Sequence, residues 1–257
     1  DKLFTRTPLN GPIMFYIAMA VVATLIGTME GRVEGMTGLF FLLKYYEYVL
    51  IYFMVVSSIE TEKQARDLLI ASLVTCFLVA LFAISQIPSG ARAAAPFEGE
   101  HGEPNTLGGY LVFMLSIVAG LILTPGSLRR QWPLYGLLVL GTIGLFATLS
   151  RASFLAAGVV VLVLSVRLLR RKPIVGSMIL IALLATPWWA PEAVTNRILY
   201  TFTQPVEEGQ IRIGAVRVDT STSDRLRSWQ QSAHYWQSYP IWGTGVTGGP
   251  FMDAMYP

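Results

Sequence analysis

Residues 68–87, LLIASLVTCFLVALFAISQI, run for twenty positions without a charged side chain. A helix rises about 1.5 Å per residue, so roughly 20 apolar residues cross the ~30 Å hydrocarbon core of a bilayer. Cys76, the only cysteine, sits inside this run, which excludes disulfides and cysteine-rich metal sites. Outward from it lie six comparable stretches, at 11–29 and 38–59 before it and at 106–124, 133–149, 153–169 and 174–190 after it. Three of the seven stretches run clearly short of 20 residues. Hydrophobic residues make up 53% of the chain and charged residues 14%, with mean hydropathy +0.54. A soluble domain carries about 25% charged residues. The pattern predicts an all-α integral membrane protein. Its expected parts are a bundle of about seven transmembrane helices over 1–190 and a small extracytoplasmic segment over 191–257.

The connecting charges set the expected orientation. Lys2 and Arg6 precede the first run, Lys63 and Arg66 the third, Arg129 and Arg130 the fifth, and Arg167, Arg170, Arg171 and Lys172 the seventh. The alternate connections hold only Arg32, Arg92 and Arg151. Basic residues gather on the cytoplasmic side, so the N-terminus is placed inside and the tail after 190 outside. The net charge of +3 is spread by this topology, and no nucleic-acid partner is expected. The chain opens at Asp1 and ends at Pro257 within polar sequence, and it reads as a fragment.

Polar groups near the membrane mark candidate chemistry. Lys44 and Glu47 lie within the second run, three apart, and are expected to pair as a structural ion pair. The connection PSGARAAAPFEGEHGEPNTLGGY, 88–110, gathers Glu98, Glu100, His101, Glu103 and Asn105. One histidine among glutamates is a weak ligand set, so no metal is expected there. Asn105 and Thr106 read as a helix start, with Gly108 and Gly109 permitting close helix packing. In LSRASFL, 149–155, Arg151 stands between two apolar runs with almost no loop. A guanidinium held there suits a phosphate or carboxylate, which its planar fork binds through two contacts. The alternative is an arginine that snorkels to lipid headgroups.

Past residue 190, GQIRIGAVRVD alternates apolar and polar residues around a glycine and predicts a short hairpin, with Arg212 and Arg217 on its polar side. The stretch 223–249, SDRLRSWQQSAHYWQSYPIWGTGVTGG, then predicts an amphipathic helix with Ser223 as N-cap, closed by Pro240. Arg225, Trp229, Ser232 and Trp236 share one face, and Arg227, Gln231 and His234 a neighbouring one. Its aromatic rings suit the headgroup layer. The glycine turn follows no strand of a β-α-β unit, so a dinucleotide site is not expected.

These landmarks, in this order, resemble the O-antigen ligase and polymerase family of membrane glycosyltransferases. The similarity rests on E-P-N-T-L-G-G-Y ahead of a span and on S-R-A-S-F-L, which fits an R-x-x-x-L motif through Arg151 and Leu155. It rests further on S-D-R-L-R-S-W with Y-P-I-W-G-T-G-V, similar to an R-x-x-x-W helix and a P-x-x-G-x-G turn. The landmarks span 97–249.

The resemblance implies transfer of a glycan from an undecaprenyl-diphosphate-linked donor to a glycan or lipid-linked acceptor. The reaction would take place at the periplasmic face of a bacterial inner membrane, without metal or cofactor. It implies Arg151 and Arg225 as the donor's diphosphate ligands; beside them Arg227, His234, His101 and Asn105 are expected as secondary substrate-binding residues. It places the family's histidine beyond residue 257, so this stretch alone is expected to be inactive. Two other classes stand beside this one: a secondary transporter of an anionic substrate, and a structural or lipid-binding membrane protein.

Overall fold

The computed structural model describes residues 5–96, 102–124, 131–207, 209–213 and 216–248. Every apolar run forms a helix. They are α1 (Asn10–Met29), α2 (Gly35–Ser58), α3 (Glu62–Ser85), α4 (Pro104–Leu123), α5 (Trp132–Ala147), α6 (Arg151–Arg171) and α7 (Pro173–Leu184). Five of the helical stretches are long and apolar enough to cross a membrane: Asn10–Met29, Gly35–Ser58, Glu62–Ser89, Pro104–Leu123 and Arg151–Arg171. Their large apolar side chains, such as Phe15, Phe40, Met54, Phe113 and Leu155, stand exposed. In water such a surface would be untenable, and lipid satisfies it. The protein is an all-α membrane protein.

The seventh run departs from its expected length. α7 has 12 residues, about 18 Å, and stops at Leu184 rather than 190. Pro187 has no N–H to continue the ladder, and the chain restarts as the short α8 (Thr186–Trp189) and then α9 (Glu192–Thr203). α9 was not foreseen in the sequence. Its apolar residues follow a helical period, but the prolines at 187 and 191 mask the start.

The chain divides into two compact units, Arg66–Thr203 on one hand and Asp1–Ala65 with Gln204–Pro257 on the other. In the first unit α4, α5 and α6 pack on one another, and α6 turns sharply into α7. The core is built from Leu73, Cys76, Ala80, Leu107, Leu111, Met114, Val118, Leu137 and Leu145. Small residues set the spacing. A Cβ on Gly144 would lie 3.4 Å from the Ala80 carbonyl oxygen and from the Ala83 Cβ, so α3 and α5 touch backbone to backbone. On Gly141 it would meet Leu115 Cδ2 at 2.7 Å. Without a hydrophobic drive inside lipid, such close approach is what holds helices together.

The second unit contains the α1–α2 hairpin, strands β1 (Arg212–Ile213) and β2 (Val216–Arg217), and α10 (Thr220–Ser238). Tyr52 Oη donates to Thr7 Oγ1 at 2.9 Å, fastening the far end of α2 to the start of α1. Glu34 caps α2 by accepting from the Thr37 N–H at 2.7 Å. The expected strand hairpin is present: Arg212 pairs with Arg217 and Ile213 with Val216, so the two arginines share a face. α10 starts earlier than expected. Its N-cap is Asp219, whose carboxylate accepts from the Thr222 N–H at 3.2 Å. Ser223 is fully buried inside the first turns and accepts from the Ile211 N–H at 2.8 Å, tying helix to hairpin. Pro240 does end the helix, which closes at Ser238.

The expected ion pair in α2 does not form. Lys44 and Glu47 are both exposed, and neither has a hydrogen bond or ion pair among the described residues. Spacing of three brings two side chains to one flank of a helix but does not compel pairing, since holding both chains still costs rotamer entropy.

Candidate functional site

At the start of α6 the backbone turns through Thr148, Leu149 and Ser150. Leu149 takes φ +47°, a left-handed conformation that costs a non-glycine residue about 1–2 kcal/mol. Buried hydrogen bonds hold it. Thr148 Oγ1 donates to the Leu145 carbonyl at 2.7 Å and accepts from the Ser150 N–H at 3.2 Å. Ser150 caps α6 from an extended conformation, accepting from the Ser153 N–H at 3.3 Å. Thr148 and Ser150 are fully buried.

This turn is joined to the start of α4. Ser150 Oγ donates to Asn105 Oδ1 at 2.8 Å, and Ser153 Oγ lies 2.8 Å from Ser150 Oγ. Gly108 makes room for this: a Cβ there would fall 2.3 Å from Ser153 Oγ. Arg92 completes the web, donating from Nε to the Thr148 carbonyl at 3.2 Å and from Nη2 to Asn105 Oδ1 at 3.4 Å. Asn105 therefore does more than start a helix. Its amide oxygen receives two donors and registers α4 against α6.

Arg151 is the first residue of α6, beside this web. Its Nη1 donates to Thr201 Oγ1 at 2.7 Å, so α9 fixes the guanidinium's direction. One turn earlier on the same face of α9 stands Arg197. Its Nε is buried without a hydrogen-bond partner among the described residues, and its guanidinium carbon lies 5.7 Å from the Tyr200 ring centroid. The first unit thus places two arginines on or against α9 beside a polar web, at the N-terminal end of α6. That arrangement favours an anion. Sequence reading missed Arg92, Arg197 and Thr201. Arg92 was counted only as a loop charge, and the other two lie on the helix that proline punctuation concealed.

The second unit carries the remaining candidates. Arg225 is exposed on α10 and has no hydrogen bond or ion pair among the described residues. Arg227 is structural: it donates to the Gly209 carbonyl and reaches Asp224 Oδ1 at 3.3 Å. Gly209 takes φ +88°, so the contact secures a turn that a side-chain-bearing residue would strain. His234 is exposed and lies edge-on to the neighbouring Tyr235 ring, 6.2 Å between centroids. His101 lies outside the described residues. Among the described residues no group of three or more His, Cys, Asp or Glu side chains is placed to hold a metal ion.

The glycine turn after α10 docks on the α1–α2 hairpin. The Val246 N–H donates to Thr24 Oγ1 at 3.2 Å. A Cβ on Gly27 would meet the Thr244 carbonyl at 2.6 Å, and one on Gly245 the Ala23 carbonyl at 2.9 Å. Arg32 clamps the entry. Its guanidinium stacks 4.1 Å from the Tyr239 ring centroid, donates to the Gly243 carbonyl at 3.2 Å, and pairs with Glu30. Between the last turns of α10 and this loop runs a groove of about 450 Å³ whose lining includes Ser228, Gln231, Tyr235, Trp236, Tyr239 and Trp242.

No curated protein and no solved structure matches this chain. Residues 136–257 match the family described as O-Antigen ligase. That segment takes in both R-x-x-x-L at Arg151 and the α10 helix with its glycine turn, the two regions whose geometry has just been described. Over residues 136–257 the chain is therefore similar to the O-antigen ligase family.

Proposed function

We propose that the chain is the donor-binding part of a bacterial inner-membrane glycosyltransferase of the O-antigen ligase or polymerase type. The donor is a glycan on undecaprenyl diphosphate, and the acceptor is a glycan or lipid-linked sugar. The reaction runs at the periplasmic face, with the N-terminus cytoplasmic, 1–190 as the membrane bundle and 191–257 as the outer segment. It uses no metal.

The observation that carries this reading is Arg151: a guanidinium at the N-terminus of a spanning helix, aimed by Thr201 and backed by a buried polar web. In the transfer, the bond between the sugar's anomeric carbon and the diphosphate breaks, and the acceptor hydroxyl oxygen takes its place. The hydroxyl proton passes to a base, and negative charge grows on the departing diphosphate. Fixed guanidinium groups stabilise that charge most when they need not reorganise during reaction. Arg151 meets this requirement, Arg197 adds a second cation on α9, and Arg225 is proposed as a further diphosphate ligand. The groove along α10 offers aromatic faces and side-chain hydroxyl and amide groups, a lining suited to sugar rings. Trp229 and Trp236 stand 70% and 67% exposed on α10, which supports placing this helix along the membrane interface, where such rings bury against lipid.

The test is glycan transfer by the intact protein in liposomes. Arg151→Ala and Arg225→Ala should each abolish transfer while the protein still reaches the membrane. Wild-type transfer by either variant would remove that arginine from the donor site. Brominated lipids with bromines near the headgroups should quench Trp229 and Trp236. If they do not, α10 is not at the interface.

A further inference from the structure

The opposite end of α6 carries a second charged feature that donor binding does not use. α4 and α6 start together, joined by Asn105 and Ser150, and run side by side in the same direction. Where they end, a cleft of about 400 Å³ opens, lined by Gly120, Leu123 and Thr124 of the α4 end and by Leu164, Leu168 and the arginines 167, 170 and 171 of α6. The α6 residues that line this cleft lie about 20–30 Å along the helix from Arg151, toward the other side of the hydrocarbon core. We propose that it is a binding site for the headgroup of an anionic phospholipid, in the leaflet opposite to the one that presents the donor.

Three features of the cleft carry this. Its charge is one-sided: three guanidinium groups line it, no carboxylate does, and none of the three has a hydrogen bond or ion pair among the described residues. The partial negative charge at the ends of α4 and α6 offsets only a fraction of this. Its floor is apolar, formed by Leu123, Leu164 and the buried Leu168. An acyl glycerol phosphate matches both parts at once, with hydrocarbon on the leucines and phosphate under the guanidinium forks. The third feature is space. Gly120 lines the cleft, and a Cβ there would meet nothing within 4 Å. The missing side chain leaves a recess in the cleft wall. Basic side chains at a helix end that merely sit at the interface need no such recess.

The experiment is lipid retention by the intact protein. Purified protein is equilibrated with equal parts phosphatidylglycerol and phosphatidylcholine of the same acyl chains, and retained lipid is read by native mass spectrometry. Wild type should hold phosphatidylglycerol in preference. Arg167→Gln or Arg170→Gln, exposed changes that leave the fold alone, should each weaken retention about fivefold, the contribution of one basic residue near an anionic lipid. Gly120→Leu, which alters no charge, should abolish the preference by filling the recess. The double variant Lys63→Gln/Arg66→Gln, basic residues in another connection, should retain lipid as wild type does. An unchanged preference in Gly120→Leu, or equal losses in the control, would reduce the effect to general surface charge and overturn the site. Complete displacement of the lipid by millimolar inorganic phosphate would also overturn it, showing a free-anion site. None of these outcomes depends on glycan transfer, so this proposal and the donor-site reading fail separately.

Discussion

Arg151 stands beside a web of buried hydrogen bonds, while Arg225 stands on an open helix face. Around Arg151, Thr148 and Ser150 are fully buried and bonded, Asn105 joins two helices, and Thr201 points the guanidinium. Around Arg225, the first turns of α10 are anchored through Ser223 and Arg227, but the face that bears Arg225 and Trp229 is exposed. One arginine is fixed before any ligand arrives. The other would lose side-chain entropy if a ligand held it.

The largest expected effect tests this contrast at the arginines themselves. In the transfer assay, Arg151→Lys should lose roughly ten- to a hundredfold, because an ammonium cannot keep the Thr201 contact and a forked phosphate contact together. Arg225→Lys should lose less, since no contact among the described residues orients its guanidinium. Equal losses would break the contrast between a bonded and an exposed cation.

Next in size is the packing beneath the web. Gly108→Ala forces a methyl group into Ser153 and should lower stability by about 1–3 kcal/mol, read as a drop in thermal midpoint. Gly109→Ala, one residue on, meets nothing within 4 Å and should be neutral or stabilising by up to about 1 kcal/mol. Matching behaviour at the two positions would show that the web is looser than its geometry implies.

The glycine turn gives a smaller effect. Removing the Arg32 guanidinium loses its stacking on Tyr239 and its bond to the Gly243 carbonyl, together about 1–2 kcal/mol. Arg32→Ala should therefore raise protease cleavage in 239–248 before it changes the global melting temperature. Cleavage as slow as in wild type would mean that the turn is held by Thr24 and the glycine contacts alone.

The smallest effect lies at Glu34. The hydrogen bonds from Thr37 hold its carboxyl below the usual carboxylate range. A depressed folded value gives stability that is present above the unfolded value and lost as pH falls through the folded one. Wild type should thus lose slightly more stability than Glu34→Ala on acidification through the carboxylate range, measured as the difference in thermal midpoint between the two proteins. The reverse order would show that this cap does not contribute.

Much of the architecture was legible because apolar length is a local property. Each of the seven runs folds as a helix, and five are long enough to cross a bilayer, since backbone groups in lipid can be satisfied only within the helix. The hairpin at 212–217 and the end of α10 before Pro240 were likewise set by neighbouring residues. The errors arose where two local signals competed. Asp219 and Ser223 are both good caps, and only docking of the strand hairpin assigned one to the helix start and the other to a buried contact. Lys44 and Glu47 had pairing distance but no enclosure to enforce it.

The sequence by itself determined that the apolar runs are helical, that the chain belongs in a membrane, and which arginines interrupt the apolar pattern. Only the tertiary structure decided what those arginines touch. Arg32 reaches Tyr239 and Gly243 across more than two hundred residues, Arg92 reaches Thr148, and Arg151 finds Thr201 on a helix hidden between prolines. Helix formation depends on neighbours within a turn, whereas a buried donor or acceptor takes whichever partner packing brings within about 3 Å. That partner is fixed by how helices cross, which no local pattern encodes.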